Sequence, residues 1–359
     1  MQSPLIYSRE ASEICLINNK PISIDFVDSM PPVVLWLYLK SFLPQKLYKY
    51  CPDTVDEKTG HNYSRENLSS GCVYMQSPVE FDDIYDSDIR IVFPDYESSR
   101  LRIYCKRFGI SILEDDEVNR DSLVSLLVEK LDFLRNNHSL RFDYLDNTAE
   151  TEIAKKSNQL FLLRFMDQID KGETTRDAIY ETINLEYNDY NKQLKEMFRV
   201  SCFTTTPYSQ LMWAMYANKH KGFCVEYDIK HQNKEYEELF LNLFPVIYSL
   251  NRSNTASRII GEKDDGYSYE HITEIFKIGL LRKSIDWAFQ NEWRLILPTS
   301  QWSKEDKYLF PFYPISRVYL GSRMPEDSRV EIIDICEKHH IQYIDVVPNE
   351  KVFLMTEKK

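Results

Sequence analysis

At 359 residues, with 43% hydrophobic side chains, the chain has room for two or three domains of roughly 100–200 residues and for a real core, which excludes global disorder. Its 44 Lys and Arg against 56 Asp and Glu leave a formal charge of −12, which argues against general binding of nucleic acid or anionic lipid. Only 9 glycines are present and neither GxGxxG nor GxxxxGK(S/T) occurs, so P-loop and standard Rossmann nucleotide sites are excluded.

In chain order, residues 1–46 read as an N-terminal extension of strand-like pieces followed by a short helix. Pro31 and Pro32 suit the first turn of that helix, and the VVLWLYL run, apolar all round, predicts that it is buried. KLYKYC is a strand, a short helix starts near Ser64, VYMQSP is a second strand ending at Pro78, and FDDIYDSD is an acidic loop. From Asp121, read as the N-cap, to Asn136, Leu123, Leu126, Leu127, Leu131 and Leu134 recur at helical spacing. Helical stretches over about 150–170 and 173–198 follow, so residues 115–199 read as a helical insertion that packs on a sheet or recognises a partner protein.

From Val200 the pattern returns to strands with short helices. SCFTTTP runs into a helix in which Thr206 caps and Pro207 takes the first position, and Gly222 is expected as its left-handed C-cap. GFCVEYD, VIYSL and EWRLIL are strands, a helix from about Tyr269 to Lys283 precedes the last, and the chain closes as strand, helix, strand. The expected architecture is α+β: a split, mostly antiparallel central sheet from residues 47–114 and 200–359, interrupted by the insertion.

The seven cysteines (Cys15, Cys51, Cys72, Cys105, Cys202, Cys224, Cys336) are scattered without a CxxC pair, which predicts reduced, mostly buried thiols and neither disulfides nor structural zinc. The opening MQSPLIYSREASE lacks the basic and apolar regions of a signal peptide, and the longest apolar run, Val33 to Leu39, is far below the ~20 residues that span a bilayer. A soluble, cytoplasmic protein without membrane association is expected. In a strand, Glu292 and Arg294 point to one side, about 7 Å apart along the chain. They form either a surface ion pair or the floor of a cleft that Lys283 and Trp287 border. Asp82, Asp83, Asp86 and Asp88 read as a solvated turn, with Mg²⁺ or Ca²⁺ binding as the sharper alternative.

Three blocks resemble the bacterial family known as domain of unknown function 2971. Leu47 to Tyr50 with Ser77 to Asp83 is similar to its opening, although Asp82, Ile84 and Tyr85 depart from the usual Asn, Pro and Phe. Cys202-Phe203-Thr204, Met212 to Ala217 and His220 to Tyr227 are similar to its central block, and Lys283 through Asn291 to Arg294 to its closing one. The order of blocks is also similar in layout to DNA-targeting ADP-ribosyltransferases of toxin–antitoxin systems. That second resemblance implies an NAD-consuming, ADP-ribosyltransferase-like enzyme of bacterial defence or toxin type, with Lys49 and Tyr50 on the first strand, Phe203 and Thr204 on an aromatic one, and Glu292 as the catalytic carboxylate. Trp213 and Tyr216 would stack the nicotinamide ring, and Lys49 or Arg294 would bind the pyrophosphate. NAD is then a substrate, no metal is required, and the acceptor is protein, nucleic acid or water. The rival readings are a metal-dependent phosphodiesterase or nuclease using the acidic loop, and a non-catalytic interaction module. A charge in an open cleft would also let Glu292→Gln leave the fold intact.

Overall fold

The structure is a computed structural model that describes residues 13–87, 93–111, 119–137, 152–229, 234–252, 279–302 and 308–358. Strands β1 (Ile14–Ile17) and β2 (Lys20–Ser23) form a hairpin whose two-residue turn, Asn18-Asn19, has φ of 50° and 60°. Asn tolerates the left-handed region better than most side chains, which suits it to such a turn. Helices α1 (Ile24–Ser29) and α2 (Pro32–Lys40) follow, with Pro32 at the first helical position. The expectation of all-round burial fails for α2. Leu35 and Leu39, one turn apart, enter the core while Val33, Val34 and Leu37 face outward, because a nine-residue helix buries only the side that meets a neighbour.

Strand β3 (Lys46–Cys51) leads to α3 (Tyr63–Ser70), whose first turn is capped by the Asn62 side chain accepting from the Arg65 N–H. Strand β4 (Cys72–Tyr74) is shorter than the VYMQSP run suggested. Beyond it Met75 donates its N–H to the Tyr308 carbonyl and Gln76 forms a single bridge to Val200.

The chain divides into two compact units, one of Met1–Asp88, Lys195–Ser253 and Lys277–Lys359, the other of Ile89–Leu194 and Asn254–Phe276. In the second, α4 (Phe93–Arg107), α5 (Arg120–Asn136), α6 (Glu152–Asp170) and α7 (Thr175–Glu196) supply the described elements. Leu123, Leu127, Leu131 and Leu134 of the α5 repeat are buried while Leu126 is exposed, and the N-cap is Asn119, whose side chain accepts from the Ser122 N–H, and not Asp121. Tyr104 of α4 stacks on Phe161 of α6 at 3.8 Å between centroids, and its hydroxyl bonds to Glu186 of α7.

Back in the first unit come β5 (Phe198–Thr204), α8 (Gln210–Tyr216), β6 (Phe223–Asp228), α9 (Glu237–Asn242), β7 (Leu243–Pro245), β8 (Ile247–Ser249), β9 (Arg282–Ser284) and β10 (Glu292–Pro298). Then follow β11 (Leu309–Pro311), β12 (Ile315–Leu320), α10 (Glu326–Lys338), β13 (Gln342–Pro348) and β14 (Met355–Glu357). Three expectations are corrected here. Helix α8 starts at Gln210 because Ser209 caps it, accepting from the Met212 N–H, in place of Thr206 and Pro207. Gly222 is not a left-handed cap: Asn218, Lys219 and His220 carry the positive φ, and Gly222 is needed because a Cβ there would overlap the Cys51 carbonyl oxygen. Of the helix expected over Tyr269 to Lys283, residues 269–278 lie outside the described residues, and Arg282–Ser284 is strand.

An eight-stranded sheet runs β14-β13-β12-β6-β3-β5-β10-β7, with β12 and β13 parallel and the other pairs antiparallel. A four-stranded sheet, β2-β1-β8-β9, and the pair β11-β4 complete the strands. Helices and mixed sheets without a closed barrel define an α+β fold. Among the described residues no helix is long and apolar enough to cross a membrane.

Candidate active site at a seam in the central sheet

Strand β3 pairs with β6 along its whole length, Lys46–Cys51 against Phe223–Asp228, yet meets β5 through one residue pair, Tyr48 with Thr204. The sheet is therefore nearly open along one line, and a cavity of about 400 Å³ lies there. Side chains from both faces of β3 reach it. Tyr48 and Tyr50 share the side that packs on Trp213 and Tyr319, while Lys49 shares the side of Leu47 and Cys51. Access from both faces is a consequence of missing ladder bonds, since a closed sheet would separate them. Lys49 spans the seam: its ammonium donates to Ser201 Oγ and to the Cys202 carbonyl, each at 3.0 Å, and lies 5.1 Å from the centre of the Phe203 ring.

The base of the cavity is a buried ring of four charges. Arg294 Nε donates to Glu292 Oε1 at 2.7 Å and its Nη2 to Asp86 at 2.7 Å. Lys283 Nζ closes the ring, donating to Glu292 Oε2 at 2.8 Å and Asp86 Oδ2 at 2.9 Å. Arg294 Nη1 donates to Ser87 Oγ at 2.9 Å and to the Leu280 carbonyl at 2.6 Å, and the Ser87 hydroxyl donates to Asp86. Ser87, fully buried at φ 56°, is held in that uncommon backbone conformation by these bonds.

Counting donors and acceptors shows which members can reach a ligand. The guanidinium of Arg294, 0% exposed, has all of its edges engaged inside the protein. Lys283 gives its three protons to Glu292, Asp86 and Gln290 Oε1, the last at 2.8 Å. Glu292 accepts from Arg294 at Oε1 and from Lys283 at Oε2, which leaves part of its acceptor capacity for a ligand. Lys49 likewise retains one N–H.

Electrostatics follow from this packing. Burial opposes ionisation of Glu292, but Arg294 and Lys283 outweigh it and hold the carboxyl well below the usual carboxylate range. Burial works against the charge of Lys283 too, and Glu292 with Asp86 reverses this and pushes its ammonium up. Burial and then the Glu292 carboxylate drive the Cys202 thiol far above neutrality, so it is a hydrogen-bond donor and a poor nucleophile.

Of the residues singled out in the sequence, Glu292, Lys49, Tyr50, Phe203, Thr204 and Tyr216 line the cavity. Trp213 and Arg294 do not. Trp213 lies beneath Tyr50, edge to face at 5.2 Å, with its Nε1–H given to the Pro207 carbonyl, so it supports a wall without forming one. Arg294 has no group left for a pyrophosphate. The Glu292–Arg294 pair is not on an exposed sheet face, and the acidic loop is not a solvated turn throughout: Asp86 is 4% exposed and belongs to the ring. Only Asp83 makes a local turn, its Oδ1 accepting from the Tyr85 N–H, and Asp88 lies outside the described residues. Ser87, Cys202 and Gln290 were not assigned site roles from sequence, and Asp86 was read only within the acidic loop, as a turn residue or, alternatively, a metal ligand. The sequence signal for Asp86 is its place in the acidic cluster FDDIYDSD.

Residues 212–295 match the family model described as "Protein of unknown function (DUF2971)". The match runs from α8 into β10 and so includes Tyr216, Lys283, Gln290 and Glu292. No curated protein and no solved structure matches the chain.

Proposed function

We propose that the seam cavity binds NAD⁺ and breaks the bond between nicotinamide and ribose, passing ADP-ribose to a protein, a nucleic acid or water. The observation that carries this reading is an ionised Glu292 with acceptor capacity left, lining an aromatic cavity in which Lys49 retains one donor. Cleavage leaves the bonding electron pair on the nicotinamide nitrogen and develops positive charge on the ribosyl carbon, as in glycoside hydrolysis. A fixed carboxylate that accepts from a ribose hydroxyl stabilises that charge. With its carboxyl held so acidic, Glu292 is a weak base, so it acts electrostatically and the attacking group loses its proton to solvent. Lys49 supplies a cation for the pyrophosphate without a glycine-rich loop. Seven free thiols fit a reducing, cytoplasmic setting.

The test is release of free nicotinamide from NAD⁺ in the presence of lysate protein and nucleic acid as acceptors, by wild type and by Glu292→Gln. Removing an electrostatic stabiliser of this kind costs ~10²–10³ in rate. Equal release by both proteins, or none by the wild type, contradicts the reading. Because Glu292 sits in the charge ring, each variant is first shown to be folded by circular dichroism.

A further inference from the structure

Tyr216 stands at the end of a hydrogen-bond chain whose direction chemistry fixes. An ammonium has no lone pair, so Lys283 can only donate, and Gln290 must turn its carbonyl oxygen toward it. That orientation leaves the Gln290 Nε2 facing Tyr216, to whose hydroxyl oxygen it donates. Gln290 is 3% exposed, so solvent does not offer it an alternative partner. The Tyr216 hydroxyl thus accepts from inside the protein and still holds its own proton, for which no acceptor exists among the described residues. Tyr216 lines the cavity and is 37% exposed, so that proton is available to whatever binds there.

We propose that Tyr216 is the specificity-determining hydrogen-bond donor of the cavity, selecting a ligand that presents an oxygen acceptor. On the NAD⁺ reading, on which this inference rests, the acceptor is the carboxamide oxygen of the nicotinamide ring. The role differs from an aromatic wall: stacking needs the ring, whereas selection needs the hydroxyl. Burial pushes the phenol above its ordinary range, outweighing the lowering effect of Lys283 with a smaller contribution from the Glu292 carboxylate, so the proton is present throughout the neutral region. The Lys283 charge upstream polarises the amide and, through it, the hydroxyl, which strengthens donation.

The experiment titrates nicotinamide, and separately 3-methylpyridine, which lacks the carbonyl, into the full chain by calorimetry or NMR. Wild type and Tyr216→Phe are compared, since Phe keeps the ring at a partly exposed position and the fold survives. The expected result is roughly three- to tenfold weaker nicotinamide binding by Tyr216→Phe, the worth of one neutral hydrogen bond, with 3-methylpyridine binding unchanged. Equal nicotinamide affinity for the two proteins, or equal weakening of both ligands, overturns the donor role while leaving the NAD⁺ reading standing. No nicotinamide binding by the wild type overturns the NAD⁺ reading and this inference with it.

Discussion

Both carboxylate oxygens of Glu292 are engaged, by Arg294 and Lys283, and this self-satisfaction decides how single substitutions behave. Asp86→Asn leaves Arg294 and Lys283 sharing one carboxylate in a dry site, and breaking such a buried pair costs about 3–5 kcal/mol. Asp82→Asn, at an exposed position, should stay within about 0.5 kcal/mol, so urea denaturation of the two variants separates structural from solvated acids in one loop. The same reasoning reverses the expectation that Glu292→Gln is structurally silent: it too unbalances the ring. Acid stability follows from the lowered carboxyl of Glu292. Its ionisation stabilises the fold fully above the unfolded carboxyl pKa of about 4.3, and that contribution is lost as pH falls below it. The drop in unfolding free energy between pH 7 and pH 3 should therefore be smaller in Glu292→Gln than in wild type. Glu292 itself was legible in the sequence because alternation along EWRLIL places it beside Arg294. Lys283 was legible too, as a neighbour of the same cleft, but Asp86 was not, since nothing local links it to a strand some 200 residues later.

Between β3 and β5 a side chain does part of what a ladder of backbone bonds does elsewhere in the sheet. Lys49→Met keeps a stem of similar bulk but deletes both donations across the seam, and charged hydrogen bonds of this kind are worth roughly 1.5–3 kcal/mol each before screening. The expected outcome is a measurable loss of stability together with weaker NAD⁺ binding, read by thermal unfolding with and without ligand. Where β3 meets β6, the constraint is steric. Gly222→Ala drives a methyl into the Cys51 carbonyl, and overpacking of this sort costs about 1–3 kcal/mol or more, checked by the shift in the urea midpoint. Elements with strong periodicity, such as α5 and β10, could be read from sequence. The start of α8, the length of β4 and the exposure of α2 could not, because capping hydroxyls, bridge partners and packing neighbours set them, and several residues nearby satisfy the same local rule.

At the scale of the molecule, the site lies within the compact unit that carries the central sheet, assembled from segments near residues 49, 86, 202, 216, 283 and 292. The α+β class was legible because strand and helix patterns segregate along the chain. The opening between β3 and β5 was not, since register across a sheet depends on contacts between distant segments. The fold brings Lys49, Tyr216 and Glu292 to one cavity, and the proposed function would set the nicotinamide end of NAD⁺ against Tyr216 with a ribose hydroxyl on Glu292. The most direct test is a crystal structure of Glu292→Gln, chosen to slow turnover, soaked with NAD⁺. The account predicts ring density beside Tyr216, ribose within hydrogen-bond distance of residue 292, and pyrophosphate near Lys49. Ligand density elsewhere on the molecule, with the seam cavity filled only by water, would contradict it.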